Sequence, residues 1–327
     1  MNFDIAMPLT LFAVTTTSLF LNKKVEGKLK STLEEKEFKP RDVIFLIAAM
    51  ATILLIIIFI PSSAIMTVFL LAYSSLLFIF TYLFSDFKKF VAEIICLIFL
   101  ALGLTIATIT LLNADFFTAS LFYGLSAFAL ISLVYENKRK NEKERWYLAV
   151  LPSALFIFLY LAFNGTSIWF PYLFDLYGLI FAVLITLYLG SLFTWKTSLL
   201  FVGILTVFDI VMVFTGPMVS AAKHIVNLWL PVAVSVPTVP PIILNGERVS
   251  MLLGLGDFFF AGLLAIQTFK KFGRNFSLLS ILGMITSFFL FETFIVLPLG
   301  IAFPGTLMII CGWIPPIFIK KVSSNVR

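Results

Sequence analysis

The stretch VIFLIAAMATILLIIIFIPSSAIMTVFLLAYSSLLFIFTYLFS (Val43–Ser85) decides the fold class, because it has no charged side chain and a single proline, Pro61, near its middle. About 20 helical residues cross a hydrocarbon layer of ~30 Å, so this length fits two membrane spans joined by a tight turn. The whole chain has the same character, with 61% hydrophobic residues, 12% charged residues and a mean hydropathy of +1.09. We therefore expect an all-α polytopic membrane protein.

Outward from this stretch, the same criterion finds further apolar segments on both sides, eleven in all. They cover residues 5–22, 43–60, 62–84, 90–112, 116–135, 147–163, 170–190, 198–216, 250–269, 276–297 and 304–319. The expected architecture is a bundle of about 9–11 transmembrane helices, in contact with the lipid bilayer. The first segment does not resemble a signal peptide, since Asp4 precedes it and no basic residue does.

Basic residues alternate along the chain in step with these segments. Each cluster follows an odd-numbered segment, whereas the even-numbered segments from the second to the sixth, and the tenth, are followed by short loops without Lys or Arg. The clusters are Lys23–Arg41, Lys88–Lys89, Lys138–Arg145, Lys196, Lys270–Arg274 and Lys320–Lys321. Because cytoplasmic loops carry the excess of Lys and Arg, this pattern predicts an N-terminus outside and a C-terminus in the cytoplasm. The polar segment Glu136–Arg145 is expected to be a solvated linker.

Composition also excludes several classes of function. Two cysteines in apolar runs, Cys96 and Cys311, give neither a disulfide framework nor metal-ligand spacing. The single histidine, His224, lies in a predicted outer loop, which disfavours a serine–histidine protease and a zinc site. The net charge of +6 is explained by topology, so we expect no nucleic-acid partner. No cofactor and no metal are predicted, and the sequence leaves the oligomeric state open.

Four carboxylates lie well inside the predicted spans: Asp175, Asp209, Asp257 and Glu292. A charge at mid-span costs about 2.5–3.5 kcal/mol on insertion scales, so each is a functional hypothesis. Asp175 is expected to be interfacial. Glu292 is expected to hydrogen-bond a neighbouring helix or, alternatively, to line a water path.

Asp209 and Asp257 fit together as a pair. One loop, residues 217–249, joins their spans on a single face, so the spans are antiparallel and both carboxylates fall about 10–13 Å below that face. Gly254 and Gly256 permit close approach of backbones and weaken the helix before Asp257. Two facing carboxylates in a low dielectric hold a single proton between them, which is the arrangement an aspartic protease uses.

These residues resemble the motifs of the presenilin and signal peptide peptidase family of intramembrane aspartyl proteases. GLGD (Gly254–Asp257) matches the G-x-G-D motif, and FD (Phe208–Asp209) matches Y-D with phenylalanine for tyrosine. GPMVSAAKHIVNLWLPVAVSVP (Gly216–Pro237) resembles the loop between the two motifs. FPGTL (Phe303–Leu307) stands where P-A-L opens the last span, with glycine and threonine in place of alanine and leucine. The likeness covers about residues 199–319.

The resemblance implies a presenilin-like helical bundle with two parts: an N-terminal multi-span region, 1–197, and a catalytic region, 198–327. It implies catalysis by the Asp209/Asp257 dyad, with transmembrane peptides as substrates. The motif residues carried over are Phe208, Gly254, Leu255, Gly256, Pro304, Gly305 and Thr306. The strand-forming VAVSV (Val232–Val236), residues 248–253 and the Pro304 region are expected to offer a backbone edge to the unwound substrate.

Orientation sets the expected substrate. With the Asp209 span running from inside to outside, the topology is that of signal peptide peptidase and the reverse of presenilin. We therefore expect cleavage of spans whose N-terminus is cytoplasmic, such as signal-peptide remnants and type II anchors. Two alternatives remain open at this point: a proton- or sodium-coupled transporter, and a protease of the prepilin peptidase type, which also carries G-x-G-D.

Overall fold

The computed structural model describes residues 3–33, 37–57, 61–86, 88–139, 145–216, 228–244 and 246–325. Residues 217–227 of the predicted outer loop, His224 among them, lie outside the described part of the chain.

Eleven helices run through the described residues, and each predicted apolar segment corresponds to one of them. They are α1 (Ala6–Leu33), α2 (Pro40–Ile57), α3 (Ser62–Leu83), α4 (Lys89–Leu112), α5 (Phe116–Lys138), α6 (Trp146–Phe163), α7 (Phe174–Leu192), α8 (Trp195–Phe214), α9 (Leu255–Phe272), α10 (Arg274–Phe291) and α11 (Gly305–Asn325). A π-helical turn, Glu292–Val296, continues α10 to Leu299.

Residues Trp169–Leu173 form a π-helical segment directly before α7. Seven helices are long and apolar enough to cross a membrane: α3, α4, α5, α6, α7 with this segment, α8, and α10 with its continuation. The fold is therefore that of an all-α polytopic membrane protein, as the composition predicts. The remaining four helices, α1, α2, α9 and α11, also match predicted apolar segments.

The chain forms two compact units. The smaller unit is Ser63–Phe170, and the larger unit combines Met1–Ser62 with Pro171–Arg327. The predicted boundary between residues 197 and 198 divides the multi-span region from the region that carries both aspartates, and it stays a prediction.

In the smaller unit, α4 and α5 form a hairpin whose turn is fixed by Asp115, which accepts a hydrogen bond from the Thr118 N–H at 3.1 Å. Gly103 packs directly against Ser126. The predicted linker Glu136–Arg145 needs a correction, because its two end residues are buried. Arg145 donates to Glu136 Oε1 from Nε and from Nη2, each at 3.0 Å, and the Tyr147 hydroxyl donates to Glu136 Oε2.

The centre of the larger unit is α9, where every residue from Phe258 to Thr268 is buried. A helix that is apolar on all sides has to be covered on all sides, and here α1, α7, α8, α10 and α11 surround it. Gly262 lets Thr186 of α7 approach closely. At the far end, Gln267 Nε2 donates to the carbonyl of Phe193 at 2.8 Å, which fixes the end of α7.

Two short antiparallel sheets precede α9. Strand β1 (Ala233–Pro237) pairs with β4 (Ser250–Gly254) in a register that sets Ala233 opposite Gly254, and β2 (Ile243–Leu244) pairs with β3 (Glu247–Arg248). The strand predicted for VAVSV is confirmed. The predicted span 250–269 is wrong at its start, because Ser250–Gly254 is a strand and the helix begins at Leu255.

Helix α11 is held against α10 and α9 by close packing and by two hydrogen bonds. Gly312 of α11 lies directly on the backbone of Gly283 of α10. The Ser287 hydroxyl donates to the carbonyl of Met308 at 2.7 Å, and Trp313 Nε1 donates to the Thr268 hydroxyl at 3.0 Å. These contacts fix the position of the N-terminus of α11.

Candidate active site

Asp209 lies on α8 and is buried. Its Oδ2 atom accepts two hydrogen bonds from one residue: the Thr306 hydroxyl donates at 2.6 Å and the Thr306 backbone N–H at 3.4 Å. Thr306 is the second residue of α11, so the backbone donor is one of the free N–H groups of a helix N-terminus, where negative charge is favoured.

Asp257 lies in the first turn of α9 and is half-buried. Its carboxylate rests against Gly305, the residue next to Thr306. A Cβ atom added at Gly305 would lie 2.5 Å from Asp257 Oδ1 and 2.9 Å from Oδ2. A Cβ at Gly254 would lie at ordinary contact distance, 3.5 Å, from Oδ2. Only a glycine at position 305 leaves room for the carboxylate in this position.

The two aspartates thus meet at one point, the first turn of α11. Consecutive residues, Gly305 and Thr306, contact Asp257 and Asp209 respectively. The carboxylates are near enough for the charge of Asp209 to act on Asp257. No ion pair joins either of them to a Lys, Arg or His within the described residues. Two neighbouring carboxylates without a cation are suited to sharing a proton.

A cavity of about 230 Å³ opens beside Asp257. Strand β4 supplies part of its wall through Met251, Leu252 and Leu253, and α10 supplies Phe288 with Glu292 from the π-helical turn. Other residues of the wall are Met7, Val296, Ile301, Ala302, Phe303, Gly305 and Met308. A peptide held in this cavity would lie between the backbone of β4 and the carboxylate of Asp257.

Among the described residues, strand β4 pairs with one strand, β1. Its neighbour β1 is anchored on the opposite side by Asp175 of α7, whose Oδ1 accepts a hydrogen bond from the Ser235 N–H at 2.6 Å. Gly178 permits this approach, since a Cβ there would lie 2.7 Å from the carbonyl of Ala233. In the described part of the chain, β4 has no other strand neighbour, so its second edge is available for pairing.

Asp175 anchors the sheet, and its expected position at the membrane interface stays a prediction. Glu292 differs from its expected role. It is buried, but neither carboxylate oxygen has a hydrogen-bond partner among the described residues, so the bond expected to a neighbouring helix is not made.

The other motif residues have supporting positions. The Leu255 N–H donates to the carbonyl of Val232 at 3.0 Å, and Pro304 is buried immediately before α11. Phe208 is half-buried beside Asp209. Gly256 is exposed, and a Cβ there would meet no described atom within 4 Å. The structure thus brings Gly254, Gly305 and Thr306 to the aspartates, whereas a side chain at Gly256, the residue before Asp257, would enter open space.

The resemblance names Gly305 and Thr306 as motif residues that depart from alanine and leucine, but it does not predict their contacts with Asp257 and Asp209. The sequence does hold an indication of these contacts, since glycine and then threonine follow Pro304 at the start of an apolar helix. The partners of these two residues lie far away in the chain, on α8 and α9, and local pattern does not reveal them.

Two carboxylates at one point can serve as a general base and a general acid. Within the described residues, no group of three or more His, Cys, Asp or Glu side chains could hold a metal ion. Comparison with family models gives no match for this chain, and no curated protein matches it either.

Proposed function

We propose that this chain is an aspartic endopeptidase that hydrolyses peptide bonds within transmembrane segments. The observation that supports it most is the meeting of Asp209 and Asp257 at the first turn of α11, without a neutralising cation in the described chain. Two carboxylates that share one proton supply both the base and the acid that amide hydrolysis requires.

The roles follow from the surroundings of each carboxylate. Asp209 receives two hydrogen bonds from Thr306, which favour its anionic form, so it is the base that takes a proton from water. Asp257 borders the cavity, so it is the acid that donates its proton to the scissile carbonyl oxygen. The hydroxide adds to the carbonyl carbon and gives a tetrahedral diol. The diol then collapses as the C–N bond breaks: the leaving amine takes the proton that Asp209 holds, and one diol hydroxyl returns a proton to Asp257.

A substrate helix has to unwind before its peptide bond is accessible, because its backbone groups are already paired. The free edge of β4 offers those groups new partners by strand addition. Asp175 holds β1 in place, so the sheet stays attached to α7 while its other edge is occupied.

The orientation proposed from the basic clusters is N-terminus outside and C-terminus cytoplasmic, with substrates whose N-terminus is cytoplasmic. Single cysteines test it in a background where Cys96 and Cys311 are replaced by alanine. Ile243 and Asn275 are exposed residues before and after α9, and each is replaced by cysteine in its own variant. An impermeant thiol reagent should label the first from outside and the second from inside only. The opposite labelling would reverse the topology and the substrate preference.

Cleavage by the purified protein tests the activity itself. A panel of membrane-span peptides in detergent or liposomes should yield products cut inside the apolar stretch, and Asp209→Ala and Asp257→Ala should each abolish them. Asp115→Asn is the matched control, since Asp115 is an exposed carboxylate of the smaller unit. Intact peptides with wild-type protein, or products that persist in either alanine variant, would overturn the proposal.

A further inference from the structure

Glu292 is a buried acid that the proposed reaction does not use. Only 1% of its surface is exposed, and both carboxylate oxygens are without a hydrogen-bond partner in the described chain. A buried polar group left unpaired costs free energy, and a carboxylate inside a membrane segment costs more than most. Such a group calls for a partner that the described residues do not provide.

The backbone at Glu292 is also unusual. The regular helix α10 ends at Phe291, and the π-helical turn begins with Glu292 itself. A π-turn inserts an extra residue into a helix and redirects its side chains, and such turns are frequent at functional sites. Here the turn places Glu292 in the wall of the cavity that Asp257 also borders. The burial of Glu292 and its place in the cavity wall are separate observations that agree.

The chemistry of the cavity wall indicates what the partner is. Its described residues include two acids, Asp257 and Glu292, and no Lys, Arg or His. A third acid, Asp4, is near enough to act on Glu292, but it is occupied by the backbone N–H groups of Ala6, Met7 and Val239. A volume of about 230 Å³ exceeds the ~30 Å³ share of one water molecule several times over, so there is room for a side chain.

We propose that Glu292 forms a specificity subsite that takes a basic side chain of the substrate, at a fixed distance along the peptide from the scissile bond. This inference rests on the proposed proteolytic function. An ammonium or guanidinium group satisfies both oxygens of Glu292 by charge-assisted hydrogen bonds and neutralises the cavity. Because a basic residue within a membrane span is rare, the subsite selects few substrates out of many apolar ones.

The test uses a series of membrane-span peptides that are identical except for one lysine, placed at each position in turn. The matched peptides carry norleucine, which has a similar length without the charge. In the wild type, kcat/KM should be about 10- to 100-fold higher for lysine than for norleucine at one position, as expected for a charge-assisted hydrogen bond. In Glu292→Gln this preference should disappear, chiefly through KM.

Thr293→Val is the matched control variant. Thr293 lies next to Glu292 in the same π-helical turn and is buried, but it does not border the cavity. Its substitution should leave the lysine preference intact. A wild type without preference at any position, or a Glu292→Gln protein that retains the preference, would overturn the subsite.

Binding measured without cleavage separates this inference from the proposed function. In Asp209→Asn, which keeps every described residue of the cavity wall, the affinity for the lysine and norleucine peptides can be compared by fluorescence anisotropy. Tighter binding of the lysine peptide together with no cleavage by the wild type would refute the protease and support the subsite. Cleavage with equal binding of both peptides would refute the subsite and support the protease.

Discussion

The two units of the chain bury carboxylates in different ways. In the smaller unit, Glu136 has Arg145 and Tyr147 as partners, and the Glu136 and Arg145 side chains are 2% and 1% exposed. In the larger unit, Asp209, Asp257 and Glu292 have no cationic partner among the described residues. Asp209 has the hydroxyl of Thr306, and Asp257 lies against a glycine.

Under the proposed function, this difference separates a structural acid from acids that serve catalysis or substrate binding. A buried ion pair with its hydrogen bonds satisfied holds helix ends together, and its charge is not available to a ligand. Buried acids without a cation cost stability, and proteins keep them where binding or catalysis needs them. The comparison therefore predicts opposite responses to mutation in the two units.

The largest effect is expected at the structural pair. Arg145→Met leaves the charge of Glu136 buried and unpaired, which should destabilise the protein by about 3–5 kcal/mol. The double variant Arg145→Met/Glu136→Gln should recover most of that loss, because no uncompensated charge remains. Unfolding in detergent, followed by circular dichroism, measures both. Equal losses in the single and double variants would contradict a buried pair.

The next effect is a steric one at the dyad. Gly305→Ala places a methyl group 2.5 Å from Asp257 Oδ1, so the carboxylate has to move. A displacement of about 1 Å at a catalytic group costs on the order of 100-fold in rate. Gly203→Ala on α8 is the control, because a Cβ there meets no described atom within 4 Å. Full peptide cleavage by Gly305→Ala would show that the contact is irrelevant.

A smaller loss is expected when the hydroxyl that supports Asp209 is removed. Thr306→Val keeps the shape of the side chain but deletes the donor at 2.6 Å, and the backbone N–H remains. The turnover rate should fall about 10-fold, the size of one hydrogen bond to a charged group. Thr306→Ser keeps the donor and should retain most of the activity. A Thr306→Ser protein as slow as Thr306→Val would show that the hydroxyl does not contribute to turnover.

The smallest effect is the one on stability at Asp257. Asp257→Asn replaces a carboxylic acid that has no cationic partner in the described residues by an amide of similar shape, so stability should change by less than about 0.5 kcal/mol or increase. The same unfolding assay as for Arg145→Met gives the value. A loss comparable to that of the Arg145 variant would place Asp257 with the structural acids and end the contrast between the units.

Long apolar runs were enough to predict the helices, because a bilayer requires about 20 apolar residues whatever their neighbours are. The error at residues 250–254 has the same origin, since MLLG is as apolar as the helix that follows and only pairing with β1 shows that it is a strand. The depth predicted for Asp257 assumed a helix from residue 250, where the structure has the strand Ser250–Gly254. The equal depth of the two aspartates stays a prediction.

What the sequence did not reveal was the set of contacts between distant segments. Glu136 and Arg145 end a polar run whose composition is that of a linker, and their burial depends on how helix ends pack. Asp175 reaches Ser235 across 60 residues, and Thr306 reaches Asp209 across 97. The unpartnered state of Glu292 is not predictable from sequence either, because a sequence does not show whether a buried acid has a hydrogen-bond partner.

The central claim is that Asp209 and Asp257 act as one catalytic unit, and the most direct test combines their mutations. Single-turnover cleavage of one membrane-span peptide should be compared in the wild type, Asp209→Asn, Asp257→Asn and the double variant, together with the affinity of a hydroxyl-bearing transition-state isostere. The account predicts that each single variant loses cleavage and isostere binding as fully as the double variant does, because groups that act together are not additive. Losses that multiply in the double variant, or one single variant that still cleaves, would contradict it.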